Sequence, residues 1–346
     1  MAMKSKDYWR QRAEAVAKSQ HKDADKAVRQ AERYFAEAKL SVQKEIEAWY
    51  ARYATENGIS LAEARKQLDA RELEEFRWTV DQYIEAATNG DLSDEWIRKL
   101  KRASARVHID RLEAVELKIQ AELERCYGQY ESTVEDHLKN VVEDGYLKTC
   151  YDIQKGLGAG WDIAGIDSDA LDKIISKPWT TDSRTFRDRI WQDKQQLVGY
   201  IHQDLTQAVM RGDSLQQMTD RMSERLDVPR HKAARLIHTE TSYFRAESAK
   251  LSYEELDVDE VEIIGTLDNL TCSVCGSMDG QTLAAKDMQP GITVPPFHPN
   301  CRCTTAPVDE FGDDEGTRVA RNEDGETYEV PADMTFEKWK KQFVDN

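Results

Sequence analysis

Four of the six cysteines in this 346-residue sequence fall between Cys272 and Cys303, in the stretch CSVCGSMDGQTLAAKDMQPGITVPPFHPNCRC. Thiolates and imidazoles are ligands that zinc prefers, and it takes four of them in a tetrahedron at about 2.0–2.3 Å. Cys272 and Cys275 form a Cys-x-x-Cys half-site in which a tight turn aims both sulfurs at one point, with Gly276 following. The second half-site is His298-Pro-Asn-Cys301-Arg-Cys303. Five donors, Cys272, Cys275, His298, Cys301 and Cys303, compete for four places. Cys301 and Cys303, separated by one residue, are not expected to bind together unless the chain turns there. The expected set is Cys272, Cys275 and two of His298, Cys301 and Cys303. The loop between the half-sites is rich in Gly and Pro and poor in apolar residues, which is where a metal staple contributes most order. Reduced buried thiols, or disulfides formed after release from the cell, are the competing readings of the same cysteines.

A second chemistry is written in the same residues. His238-Thr239-Glu240, followed by Cys272 and Cys275, imitates the signature of zinc deaminases, where a His and two Cys hold the metal and a Glu moves protons. Thr271 stands where that signature has proline, and the reading leaves His298, Cys301 and Cys303 without a role. A catalytic zinc also keeps an open position and needs fewer protein ligands than this stretch offers. Gly156-Leu-Gly-Ala-Gly160 resembles a phosphate loop only in its glycines, since the Gly-Lys-Ser/Thr ending is missing. No Ser/His/Asp arrangement or carboxylate pair stands out, and the chain is expected not to be an enzyme.

The elements that must carry the cysteines are mostly helical. Residues 4–53 place Trp9, Ala13, Val16, Val28, Ala31, Phe35, Val42, Ile46 and Trp49 at roughly helical spacing with charges between. Asn57-Gly58 ends that helix, and Ser60-Leu-Ala-Glu63 has the form of a capping box for a second, to about Ala87. Ser93, followed by Asp94 and Glu95, starts a third through about Val142. The aromatic residues of these helices read as interhelical packing, with a docking surface as the alternative. The glycine cluster of residues 154–182 reads as a hinge. Helices resume at Phe186, at Ser214 and at Val228-Pro229, and Val258–Leu267 reads as a strand leading to Cys272. After Cys303 come an acidic linker, a β-hairpin over 317–330 turning at Asp324-Gly325, and a last helix over 335–344.

The expected architecture is therefore mainly α. A long-helix hairpin or bundle occupies residues 1–150 and a hinge or irregular linker 151–182. A second helical unit with a small α+β module holding the Cys/His knot occupies 183–308. The acidic linker, hairpin and terminal helix complete the chain over 309–346.

Composition sets limits on partners. Charged residues make up 33% of the sequence, which suits long solvated helices, and the formal net charge of −17 opposes sequence-blind binding to nucleic acid. Local basic islands, Arg98–Arg102 with Arg106 and Arg230–Arg235, escape that objection and leave DNA contact open. No membrane-length apolar run and no signal sequence are evident, so synthesis in the cytosol, with reduced thiols, is expected.

Several of these residues together resemble the minor capsid or head morphogenesis proteins of tailed bacteriophages, the group similar to the Mu F protein. They are Ile237-His-Thr-Glu-Thr241 with Ala246 and Ala249, Cys272-Ser-Val-Cys275 with Asp279-Gly280, and Pro296-Phe-His-Pro-Asn-Cys-Arg-Cys303. Tyr8-Trp9, Phe186-Arg-Asp-Arg-Ile-Trp191 and Val330-Pro-Ala-Asp-Met-Thr335 agree with the same pattern, in which an arginine would stand at His238. The resemblance implies a head morphogenesis domain over residues 183–308 in a protein of the phage head, inside it or near the portal. It implies portal and procapsid proteins as partners, assistance to DNA packaging or ejection, and no small-molecule substrate or membrane partner. The forty or so residues after Cys303 are too few for an added toxin or enzyme domain.

Overall fold

A computed structural model describes residues 6–56, 111–160, 162–211, 215–308, 316–322, 324 and 326–344. The second helix, the start of the third and the basic island at 98–106 lie outside the described residues. Among the described residues seven α-helices appear in order with five strands: α1 Lys6–Glu56, α2 Arg111–Leu157, α3 Ser168–Ile175, α4 Phe186–Arg211, α5 Leu215–Glu255, β1 Glu260–Ile264, α6 Ser273–Met278, β2 Thr282–Ala284, β3 Thr304–Pro307, β4 Thr317–Arg321, β5 Thr327–Pro331 and α7 Phe336–Phe343. A single 3-10 turn, Ala285–Asp287, follows β2. The mainly helical chain with a small C-terminal α+β region is the architecture expected from the sequence. Among the described residues no helix is long and apolar enough to cross a membrane.

The chain forms two compact units that are not contiguous stretches. One comprises Met1–Ala27, Glu135–Thr185 and Ala234–Asn346; the other comprises Val28–Val134 and Phe186–Ala233. Helices α1, α2 and α5 each contribute to both units.

Among its described residues the second unit comprises four helix segments, from α1, α2, α4 and α5. Ala31, Phe35, Ala38, Val42 and Ile46 of α1 are buried at three- and four-residue intervals, as are Ile119, Leu123, Tyr127, Tyr130 and Val134 of α2. Ile190, Leu197, Ile201 and Leu205 of α4 face Met218, Met222 and Leu226 of α5 in the same way. Each of the larger aliphatic and phenylalanine side chains among them contributes about 1.5–3 kcal/mol. Polar pairs join these segments: Lys118–Glu45 at 2.6 Å joins α1 to α2, Tyr127 donates to Asp193 of α4 at 2.8 Å, Arg225 of α5 pairs with Asp204 at 2.7 Å, and Lys39 with Asp227 at 2.9 Å. The bundle thus draws two of these four segments from residues expected in the C-terminal unit.

Two boundaries differ from the sequence reading. Helix α5 runs without a break through Pro229. An interior proline costs about 3 kcal/mol by removing one backbone N–H and crowding the preceding turn. The stripe Met222, Leu226, Ala233, Ile237 stays buried across it, and that packing offsets the cost. Helix α2 likewise continues past Val142 to Leu157, through Gly156 in the expected hinge. Gly156 serves close packing rather than a turn, since a Cβ there would lie 2.2 Å from the Trp9 ring.

The first unit is built on a three-stranded antiparallel sheet of order β2-β1-β3. Central β1 pairs Val261 with Leu283 on one side and with Pro307 on the other. Its residues from Val261 to Ile264 are all buried, as a strand covered on both faces requires. Trp9, Ile153, Ala249 and Tyr253 from the helices pack on it with Val261, Ile263 and Ala306. Glu262 is buried too, and it receives both the Nε (3.0 Å) and a terminal nitrogen of Arg10, which also donates to the Ala332 carbonyl. Ser248 and Ser252 of α5 donate to the Val142 and Tyr146 carbonyls of α2, each at 3.1 Å.

Asp279 joins the hairpin and last helix to this sheet. Its Oδ1 accepts from the Gly265 N–H at 2.7 Å and from Arg318 at 3.1 Å; its Oδ2 accepts from Arg318 at 3.0 Å and from the Phe336 N–H at 2.7 Å. Arg318 donates in addition to the Met334 and Gly265 carbonyls. Both side chains are almost fully buried, so removing one partner strands the other charge. Asp279→Ala is expected to destabilise this unit by about 3–5 kcal/mol. Urea unfolding followed through Trp339, which packs beside Phe336, checks it; a midpoint equal to wild type would contradict the role given to the pair.

His137 makes the same unit sensitive to acid. The Thr241 hydroxyl donates to the Ile237 carbonyl at 2.6 Å, so it accepts from His137 Nε2 at 2.8 Å, which fixes the neutral tautomer. Burial pushes this imidazole down from 6.5 to about 4, with Asp23 opposing and His238 reinforcing. The unfolded chain therefore binds the proton more tightly than the folded one between those values. The stabilisation is complete above about pH 6.5 and is lost as pH falls towards 4, amounting to roughly 3 kcal/mol. His137→Gln is expected to flatten that part of the stability–pH curve, measured by urea unfolding at intervals from pH 7 to 4.

Candidate metal centre

The first half-site is a helix start. Cys272 caps α6, its Sγ accepting from the Cys275 N–H at 3.4 Å, and the Gly276 N–H donates to the Cys272 carbonyl at 2.9 Å. This turn sets the two sulfurs on one side. Gly276 has to be glycine, because a Cβ there would lie 2.2 Å from the Phe336 ring packed on α6. The second half-site is a tight reversal. The Cys301 N–H donates to the His298 carbonyl at 3.2 Å, and Asn300 takes a φ of +60°, a left-handed conformation that asparagine tolerates.

The expectation that Cys301 and Cys303 do not come together is corrected, since alternate residues of an extended chain lie on the same side. The residues from Cys301 to Cys303 are not strand, and the sulfurs of Cys275, Cys301 and Cys303 lie within 4.8 Å of one another. Cys272, Cys275 and His298 form a second such group, so all five predicted donors surround Cys275. Cys275 Sγ is 3.1 Å from His298 Nε2 and 3.7 Å from Cys301 Sγ. Ligands of a tetrahedral zinc stand roughly 3.3–3.8 Å apart, given its bond lengths, so these separations suit such an ion. No disulfide is present among the described cysteines.

The imidazole is prepared for the same task. His298 Nδ1 lies 2.8 Å from the Pro299 carbonyl, which can only accept, so Nδ1 carries the proton and Nε2 offers its lone pair towards Cys275. Among the sulfurs the contacts split the thiols: Cys301 is lowered to about 2 by hydrogen bonds from Cys275 and Cys303. Its partners are raised, Cys275 first by Cys301 and Cys303 first by Cys275. These contacts favour ionisation of Cys301 over its two neighbours, and a cation entering there would displace thiol protons.

Several supporting residues carry no motif. Arg245 of α5 is buried and donates to the Cys303 carbonyl at 2.8 Å and to Ser242 at 3.2 Å. Burial pulls its pKa down, and the sulfurs of Cys301 and Cys303 oppose that. Arg302 grips Asp268 with two bonds of 2.5 and 2.6 Å. Burial works to raise Asp268, but this fork more than offsets it and holds the carboxyl below its usual range. The Asn300 N–H donates to Thr239 Oγ1 at 3.1 Å, which ties the reversal to α5. Arg302 could have been suspected from its place between two cysteines. Arg245 could not, since only folding brings it there.

The deaminase arrangement is not assembled. His238 lies in a group with His21 and Asp25, separate from the groups holding Cys272 and Cys275. Glu240 is buried and accepts from Trp179 Nε1 at 2.9 Å, with the Trp179 ring stacked on Tyr243. The carboxylate is engaged in packing α5 rather than facing the cysteines.

Comparison with known proteins bears on the segment that carries all of these residues. Residues 200–306 match the family model described as Phage Mu protein F like protein. No curated protein and no solved structure gives a match. The matched segment runs from within α4 through α5, β1 and the whole Cys/His knot to β3. Over residues 200–306 the chain is thus similar to the Phage Mu protein F like proteins, and the similarity takes in all five residues of the knot.

Proposed function

We propose that this chain is a minor head protein of a tailed phage, a structural component whose Cys/His knot holds one zinc ion. The observation that carries the reading is the convergence of Cys272, Cys275, His298, Cys301 and Cys303 inside the segment matched to the phage family. Cys272 and Cys275 would hold the ion together with two of His298, Cys301 and Cys303. The ion would fasten the two ends of the segment between α6 and β3, whose middle is held in the core by Ala285, Met288 and Val294. All donors of the knot are committed to one another, and the nearby acids are engaged by Arg302 or Arg318, which favours a fastener over a hydrolytic centre.

On this reading the chain acts in head assembly, bound to the portal or to other procapsid proteins, inside the head or close to the portal, with a supporting part in DNA packaging or ejection. The test is a single preparation of the phage's heads. The chain is expected to co-purify with the portal protein and to contain about one zinc per copy. Cys275→Ser is expected to lose the metal and to lower thermal stability, and chelation of wild type to do the same. Heads that lack the chain would overturn the assembly role, and metal-free chain of unchanged stability would overturn the fastener.

A further inference from the structure

A second group of ligating side chains lies apart from the cysteine knot. His21 and Asp25 stand four residues apart on α1 and so share one face of the helix. His238 comes from α5. One ligand atom of each of the three lies within 4.8 Å of the others. The two rings are 4.7 Å apart between centroids and tilted by 31°, and a His238 Nε2 to Asp25 Oδ1 distance of 3.5 Å is too long for a good hydrogen bond.

His238 is incompletely satisfied as it stands. Its Nδ1 is buried and has no hydrogen-bond partner. Whichever nitrogen carries the proton, the ring leaves either a buried N–H or a buried lone pair unused, which is unfavourable. Burial also keeps both rings below their ordinary pKa, so they offer lone pairs at neutral pH. The Asp25 side chain is 41% exposed, which leaves the group open to solvent on one side.

We propose that His21, Asp25 and His238 form a second, independent metal site for a divalent transition ion such as zinc, nickel or cobalt. Two imidazoles and one carboxylate are a borderline donor set that suits these ions and not the softer thiolate-loving ones. Water completes the coordination on the exposed side. Arg245, Arg302 and Arg321 act on His21 electrostatically and disfavour added positive charge, so the site is weaker than the knot. The ion links α1 to α5 one residue from Thr239, which holds the reversal of the knot through Asn300. It thereby braces the helix on which the knot rests.

Equilibrium dialysis of the full chain against zinc, with metal counted per chain, decides the matter. Wild type is expected to hold one equivalent more than His21→Ala and one more than Asp25→Asn; both substitutions are at solvent-accessible side chains. Cobalt(II) serves as the second probe, because thiolate ligands give it an intense charge-transfer band that nitrogen and oxygen ligands do not. That band is expected to be unchanged in both variants, so the lost equivalent is not one from the cysteines. Equal metal content in wild type and the two variants overturns the proposal, and so does a loss matched by a weaker thiolate band. Because the readout is a difference between chains, it holds whether or not the knot itself binds zinc.

Discussion

The buried pair of Asp279 and Arg318 is the constraint on which the first unit depends. Burying two charges costs several kcal/mol for each ion, and only a complete set of partners offsets that. Here both carboxylate oxygens accept two bonds each, from Gly265, from Phe336 and from Arg318. These partners come from the end of β1, from β4 and from the start of α7, while Asp279 itself ends α6. Four elements are therefore positioned by one side chain. The knot inherits that order, since α6 starts with Cys272 and ends at Asp279, and Phe336 lies on Gly276.

A second buried pair works in the same way from the other end of the chain. Arg10 reaches Glu262 in the central strand and the Ala332 carbonyl just before α7. The start of α1 is thus part of the unit that holds the knot, beside residues more than 250 positions later. Such partners have no signature in a sequence. A glutamate in a strand of alternating acids reads as solvent-facing, and an arginine in a charged helix reads the same. What buries them is the covering of β1 on both faces.

The family match and the metal-ligating geometry coincide on one segment, and the supporting side chains lie mostly within it. Thr239, Arg245, Asp268 and Arg302 each hold the reversal at Asn300 or the strand that follows it. The His-Thr-Glu run of α5 therefore works through its middle residue, which receives the Asn300 N–H, while Glu240 is taken up by Trp179. Its resemblance to a catalytic signature is one of residue types. The geometry that would make it catalytic is absent from the described residues.

The sequence by itself determined the helical character, the strand before the knot, and the terminal hairpin and helix, because periodicity and turn residues are local properties. It also placed the ends of α4 and α7 within a residue or so, where caps mark them. Only the tertiary structure decided that α5 passes Pro229 and that α2 passes Gly156, since burial on both sides of each position outweighs local propensity. It alone decided that the units are discontinuous, because long helices can serve two cores without any change in their own pattern. And it alone brought the sulfurs of Cys301 and Cys303 to that of Cys275, after a left-handed Asn300 held by a hydroxyl sixty-one residues away in the chain.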